Sequence, residues 1–247
     1  MIDKLYQDSN LVQFYDYDNP WSESYDVISN FVKIDDSVLD IGCGTGTLAS
    51  ELIHRCKEIY ALDISVEMLT RAKEKTLNVN WIHASASSFS FDKKFDFIFL
   101  SGHSFQTLLT ENDRLKLLKN IENHLKDNGT FVFDSRNPLV QEWTTWGEKE
   151  SIRYFKHPNY GIIKAWNDWE AKDEIITYQT FYEVLHTDKR WVASSQISFP
   201  MKEEIYSLLD QAELSVNHLY GDWQLNPYTD KSDEMIFVGS KRIISME

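Results

Sequence analysis

Residues 38–46 read Val38-Leu39-Asp40-Ile41-Gly42-Cys43-Gly44-Thr45-Gly46, a short apolar run broken by three glycines and followed by a helical pattern over 47–57. The apolar run predicts a buried strand. Its first glycine lets the chain turn sharply, and the second removes a side chain where a ligand meets backbone. The third lets the helix start close to the strand. A helix opening there presents unpaired N–H groups and a partial positive charge, which attract an anion or a carboxylate. The next strand, 59–63, ends in Asp63, whose carboxylate is placed to accept the hydroxyl hydrogens of a ribose. The spacing then separates ligand classes. A dinucleotide loop runs G-x-G-x-x-G, whereas here the third glycine comes one residue early at Gly46, and no G-x-x-x-x-G-K-[ST] phosphate loop occurs in the sequence.

The same alternation continues downstream. Ser65 caps a helix reaching about residue 75, a third strand covers 79–83, and 95–100 is a nearly continuous apolar run suited to a strand covered on both faces. A helix over 112–126 follows, with Asp127-Asn128-Gly129 as its stop signal, and then a fifth strand over 130–134. Strand and helix alternating at these lengths predict a doubly wound, mostly parallel, Rossmann-like α/β sheet. After Pro138 the helical period vanishes until about residue 199. Ile176, Tyr178, Thr180, Tyr182 and Val184 instead alternate onto one face of a strand, and Asn159-Tyr160-Gly161 and Thr187-Asp188-Lys189 read as turns. Residues 1–138 and 200–247 are therefore expected to form the core, with a helix at 202–211 and strands at 214–220 and 234–240. Residues 139–199 are expected to form an inserted antiparallel β subdomain.

Charge narrows the partners. Asp and Glu number 39 against 25 Lys and Arg, a formal charge of −14, and the basic residues are scattered. Nucleic acid is a poor partner for such a surface, because phosphates call for clustered cations. No run approaches the roughly 20 apolar residues of a membrane-spanning helix. The first residues lack the basic start and apolar stretch of a secretory signal, and two cysteines, Cys43 and Cys56, are too few for a disulfide framework. A cytoplasmic protein is the expectation, and monomer and homodimer both fit it. With no Cys or His at ligand spacing, no metal site is expected.

At residues 39–46 the sequence resembles the class I S-adenosylmethionine-dependent methyltransferases, whose first motif is LDxGxGxG. The likeness extends from about residue 11 to 242. It includes Ser65-Val66-Glu67-Met68-Leu69 after Asp63, the turn His124-Leu125-Lys126-Asp127-Asn128-Gly129-Thr130, and the closing Glu234-Met235-Ile236-Phe237-Val238. The last of these, with the β insert, resembles a small-molecule branch of the family. The resemblance implies a seven-stranded sheet whose last strand is antiparallel, S-adenosylmethionine as cofactor, and a small-molecule methyl acceptor. It implies that Gly42, Cys43, Gly44 and Gly46 line the methionine end, with Asp40 organising the loop. Asp63 would hold the ribose, Ile64 and Met68 would flank the adenine, and Tyr15 would cap the cofactor. Ser85, Ala86 and Ser101 would complete its site, although Ser85 stands where the family often has an Asp. A hydroxyl is a weaker acceptor for the adenine amino group than a carboxylate.

Methyl transfer from a sulfonium needs alignment above all, so a base is optional. His103, just past the fourth strand, is the candidate catalytic group or substrate anchor, because open α/β sheets bind ligands at that edge. Phe105, Arg136, Trp143 and Trp166 are the candidate substrate contacts, Arg136 as a clamp for a carboxylate or phosphate and the tryptophans as part of an aromatic lid over the cofactor. Transfer to N or O of a small metabolite is the leading reading. An enzyme acting on RNA or protein, and a module that binds the cofactor without catalysis, stand beside it.

Overall fold

β1 (Ser37–Ile41) is buried along its whole length because both its faces are covered. Val38 points to one apolar layer, with Leu48, Ala49 and Leu52, while Leu39 and Ile41 point to the other, with Leu117, Leu118 and Ile121. This two-sided burial is why the strand reads as an unbroken apolar run. The computed structural model describes residues 3–172 and 174–242. Residues 1–2 and 243–247, the outer ends of the expected core, lie outside the described residues.

The main sheet adds β2 (Glu58–Asp63), β3 (Asn80–His83), β4 (Phe95–Leu100), β5 (Leu125–Arg136), β10 (Leu214–Tyr220) and β11 (Glu234–Lys241). Its seven strands run in the order β10-β11-β5-β4-β1-β2-β3. β1 to β5 are mutually parallel, and β11 is antiparallel to both β5 and β10. α4 (Glu23–Phe31) and α5 (Thr47–Leu52) contribute to one layer, α7 (Glu111–His124) and α8 (Lys202–Gln211) to the other. The sheet is Rossmann-like and doubly wound, as the sequence pattern indicates.

Two boundaries differ from expectation. α5 stops at Leu52 rather than running to 57, because the chain must reverse within a few residues to enter β2, with Lys57 N–H donating to Asp36 O at 3.0 Å. The helix expected to end at Asp127-Asn128-Gly129 ends at His124 instead. Leu125 already pairs with Phe95, and Thr130 with Phe97, so residues 126–129 form an irregularity within β5 rather than a gap before it.

β6 (Arg153–His157), β7 (Gly161–Lys172), β8 (Ile175–Val184) and β9 (Arg190–Ser198) form a separate antiparallel sheet in that order. Its inner face presents Ile163, Ala165, Tyr182, Val184 and Ala193 to Leu5, Leu11 and Phe14. Those three come from the N-terminal turns α1 (Lys4–Gln7), α2 (Ser9–Val12) and the residue preceding α3 (Tyr15–Asp18). Wholly buried Phe14 stacks on Tyr182 at 4.7 Å and meets the edge of Trp191 at 5.0 Å.

The N-terminal segment is thereby tied to both sheets. Asp16 accepts a bond from Thr45 in the glycine loop and pairs with Lys75 at 2.7 Å, at the end of α6 (Val66–Lys75). Asp18 pairs with Arg153 and accepts from the Tyr182 hydroxyl at 2.9 Å.

Candidate functional site

The loop leaving β1 is built on glycines because three of its residues adopt left-handed backbone: Gly42 at φ +77°, Gly44 at +53° and Gly46 at +70°. Gly42 N and Cys43 N both donate to Leu62 O, at 2.8 and 3.0 Å, tying the loop to β2. Asp63 then locks the arrangement. One carboxylate oxygen accepts from Gly44 N at 2.9 Å and the other from Ser65 N at 2.7 Å. Burial raises the Asp63 pKa, opposed by the backbone donors from Ser65 and Gly44.

Above this loop lies a cavity of about 520 Å³. Tyr15, Gly42, Gly44, Asp63, Ile64, Met68, Ser85, Ala86 and Ser101 line it together, although they come from five separate stretches of chain. The other expected cofactor residues stand behind the wall. Asp40 is 2% exposed, and its Oδ1 has no hydrogen-bond partner among the described residues. Burial first, and the nearby Asp63 second, push its pKa well up. The Cys43 side chain packs into the apolar layer beside α5. Gly46 faces the Trp81 ring and Ala72, where an added Cβ would sit 2.3 and 2.9 Å away. It therefore serves the packing of loop against strand and helix.

A second cavity of about 650 Å³ adjoins the first and shares Tyr6, Tyr15, Gly102 and Thr107 with it. At its floor His103 sits at φ +61°, an uncommon left-handed position for a side-chain-bearing residue. Its backbone N–H donates to Asp134, at 3.1 and 3.3 Å from the two oxygens, and its Nε2 lies 2.8 Å from Glu234 Oε1. Ligand atoms of His103, Asp134 and Glu234 all lie within 4.8 Å of one another. Burial, reinforced by Arg136, depresses His103 to about 4, so near neutral pH the ring is uncharged, and Nε2 donates to Glu234 when that carboxylate is ionised. Burial pushes Glu234 up to about 7 and raises Asp134 as well. The remaining walls include Trp146, Tyr178, Trp21 and Tyr25.

The expected substrate contacts divide. Arg136 lines the second cavity, but its guanidinium is already engaged: Nε lies 2.8 Å from Glu142, Nη1 donates to Gln106 at 3.1 Å, and the group lies over Trp146. Trp143 packs against Phe199 at 4.4 Å instead of facing a cavity. Phe105 is turned inward by its 3-10 turn and lies wholly buried, stacked on Phe133 at 4.6 Å. Trp166 pairs across β7 and β8 with Phe181, which puts it on the outer face of the small sheet, flat against that ring and beneath Lys164 and Arg190. Asp134, Glu234, Tyr178 and Trp146 were not among the expected site residues. Trp146 rather than Trp143 walls the cavity, with Phe199 taking up the Trp143 ring.

The sequence profile of a methyltransferase domain matches residues 38–129. Over 244 residues the chain is 24% identical to the cypemycin N-terminal methyltransferase of a Streptomyces species, spanning 90% of this chain and 96% of that one. It is 33% identical over 172 residues to the carboxy-S-adenosyl-L-methionine synthase of a Nitratiruptor species, spanning 66% of this chain and 70% of that one. Among solved structures, the sugar N-methyltransferase KedS8 from a Streptoalloteichus species superposes with a TM-score of 0.75 at 15% identity, covering 93% of this chain and 91% of that one.

Proposed function

Because this chain belongs to the class I S-adenosylmethionine-dependent methyltransferases, we propose that it methylates the amine nitrogen of a small molecule. The observation that carries the nitrogen reading is the second cavity. It adjoins the first cavity and is lined by four carboxylates, Asp18, Glu23, Asp134 and Glu234, among the rings of Trp146, Tyr178, Trp21 and Tyr25, with Arg153 paired to Asp18 and Arg136 to Glu142. Buried anions and aromatic faces together attract a cation, and an alkylammonium is the cation that becomes a nucleophile on losing one proton. The volume suits one small acceptor or the end of a longer one. The names of two similar proteins, an N-terminal methyltransferase and a sugar N-methyltransferase, are in keeping with an amine acceptor.

The first cavity fits the cofactor. The glycines leave a cradle that side chains at 42 and 44 would enter. In this reading Gly42 and Gly44 bound the methionine end, Asp63 takes the ribose, and Ile64, Met68, Ser85 and Ala86 surround the adenine. Asp40 stays behind the loop, outside the cavity lining. When bound, S-adenosylmethionine supplies an electrophilic methyl group. The chain's own residues then align the acceptor: Tyr6 and Tyr15 form the partition between the two spaces, and the four-stranded sheet closes over them as a lid that excludes water.

Asp63→Ala is expected to weaken S-adenosylhomocysteine binding by roughly 10–100-fold, because the ribose hydroxyls lose a charged acceptor and Gly44 N loses its own. Calorimetry reads this directly, and undiminished affinity would contradict the ribose placement. The acceptor class is tested by offering amino sugars, amino acids and short peptides with free N-termini, each beside its hydroxyl analogue. Formation of S-adenosylhomocysteine and the product mass are then measured. Methylation confined to amines is expected; methylation confined to the hydroxyl analogues would overturn the nitrogen reading.

A further inference from the structure

We infer that Glu234 is the base that takes the proton from the acceptor's ammonium, and that His103 is the donor that holds it in place. This rests on the amine reading above. Topology brings the groups together. β11 is antiparallel, so its first residue lies at the edge where the parallel strands end. The register pairs Glu234 with Arg136, and Ile236 with Asp134. Glu234 therefore shares a sheet face with Asp134, and His103 reaches the same point from the end of β4.

The three groups are not equivalent. Asp134 is 1% exposed and already accepts the His103 backbone N–H on both oxygens. His103 is a neutral ring whose Nε2 lies 2.8 Å from Glu234 Oε1 and donates to it when the carboxylate is ionised. Glu234 lines the cavity, with His103 Nε2 against its Oε1, while its Oε2 is shut away from solvent and has no hydrogen-bond partner among the described residues. A carboxylate so poorly solvated holds a proton more readily than one in water. The groups facing it set the balance: Arg136 lowers its pKa, Glu142 and Asp233 raise it, and burial outweighs them all. The Tyr15 and Tyr178 hydroxyls on the cavity wall both have raised pKa values and stay neutral.

The step balances. R–NH3+ gives a proton to Glu234, leaving R–NH2 and a neutral carboxyl. The nitrogen lone pair forms the new N–C bond as the methyl–sulfur bond breaks with its electrons passing to sulfur. The methylated ammonium leaves, and Glu234 returns its proton to solvent.

The test compares pH profiles of kcat/KM for the full-length protein and for Glu234→Gln, using the best amine from the panel, with S-adenosylhomocysteine calorimetry as the check on folding. The parent's rate is expected to rise with pH through about 7, as Glu234 ionises. Without the base, only acceptor that has already lost its proton reacts. Glu234→Gln should therefore fall roughly 100-fold at pH 7.5, and its acid limb should move up to the acceptor's own pKa, with activity recovering there. His103→Gln should shift the limb while retaining the plateau, which a purely structural residue would not do. An unchanged profile in Glu234→Gln overturns the base while leaving the amine reading intact. No methylation of any amine by the parent overturns both.

Discussion

Gly44→Val is expected to bind S-adenosylhomocysteine at least about 1,000-fold more weakly than the parent, beyond the reach of calorimetry, while remaining folded. The position is open to a side chain in one respect and closed in another. A Cβ there would meet the Tyr15 ring at 3.8 to 4.0 Å, an ordinary contact, so nothing in the core is displaced. The two branches of valine, however, would stand in the gap between loop and Tyr15, inside the cavity both residues line. The left-handed backbone at φ +53° adds about 1–2 kcal/mol of strain, a loss that a well-packed α/β domain survives. Circular dichroism and thermal melting would establish the fold. Normal binding by this variant would move the cofactor out of the cavity and end the reading of the site.

Gly46→Ala should do the opposite, unfolding at markedly lower urea while its folded fraction still binds S-adenosylhomocysteine. The added methyl carbon would lie 2.3 and 2.7 Å from two atoms of the Trp81 ring and 2.9 Å from Ala72 Cβ. The indole cannot easily yield, because its Nε1 is held by Thr76 O at 2.9 Å. Overpacking and left-handed strain together amount to about 3 kcal/mol or more, roughly a hundredfold in the folding equilibrium. Parent-like stability with lost binding would return Gly46 to the ligand wall. Two glycines two residues apart thus separate: one keeps space for a ligand, the other keeps space for a ring.

The main sheet was legible because its signals are local. Apolar runs at β1 and β4, glycines after β1 and an acid closing β2 each speak for themselves, and Ile176 to Val184 alternate with the pleat they form. The second cavity was not, because it depends on strand direction and register. Glu234 reads as an ordinary first residue of a strand; only the reversal of β11 carries it to the sheet edge beside His103. An acid at the start of an antiparallel closing strand is a signal that a sequence reader could use. Trp166 lies on the other face of the small sheet for a related reason. With Ile163 paired to Val184, odd positions of β7 share the inner face with even positions of β8, so residue 166 must point outward. Composition singles out the tryptophans, and parity decides which of them faces the inner side of the small sheet.

Asp16 and Asp18 sit on one short turn of helix, the first fastened to the glycine loop and the second to the small sheet. The turn that carries Tyr15, a wall shared by both cavities, is thereby anchored on one side to the glycine loop and on the other to the small sheet.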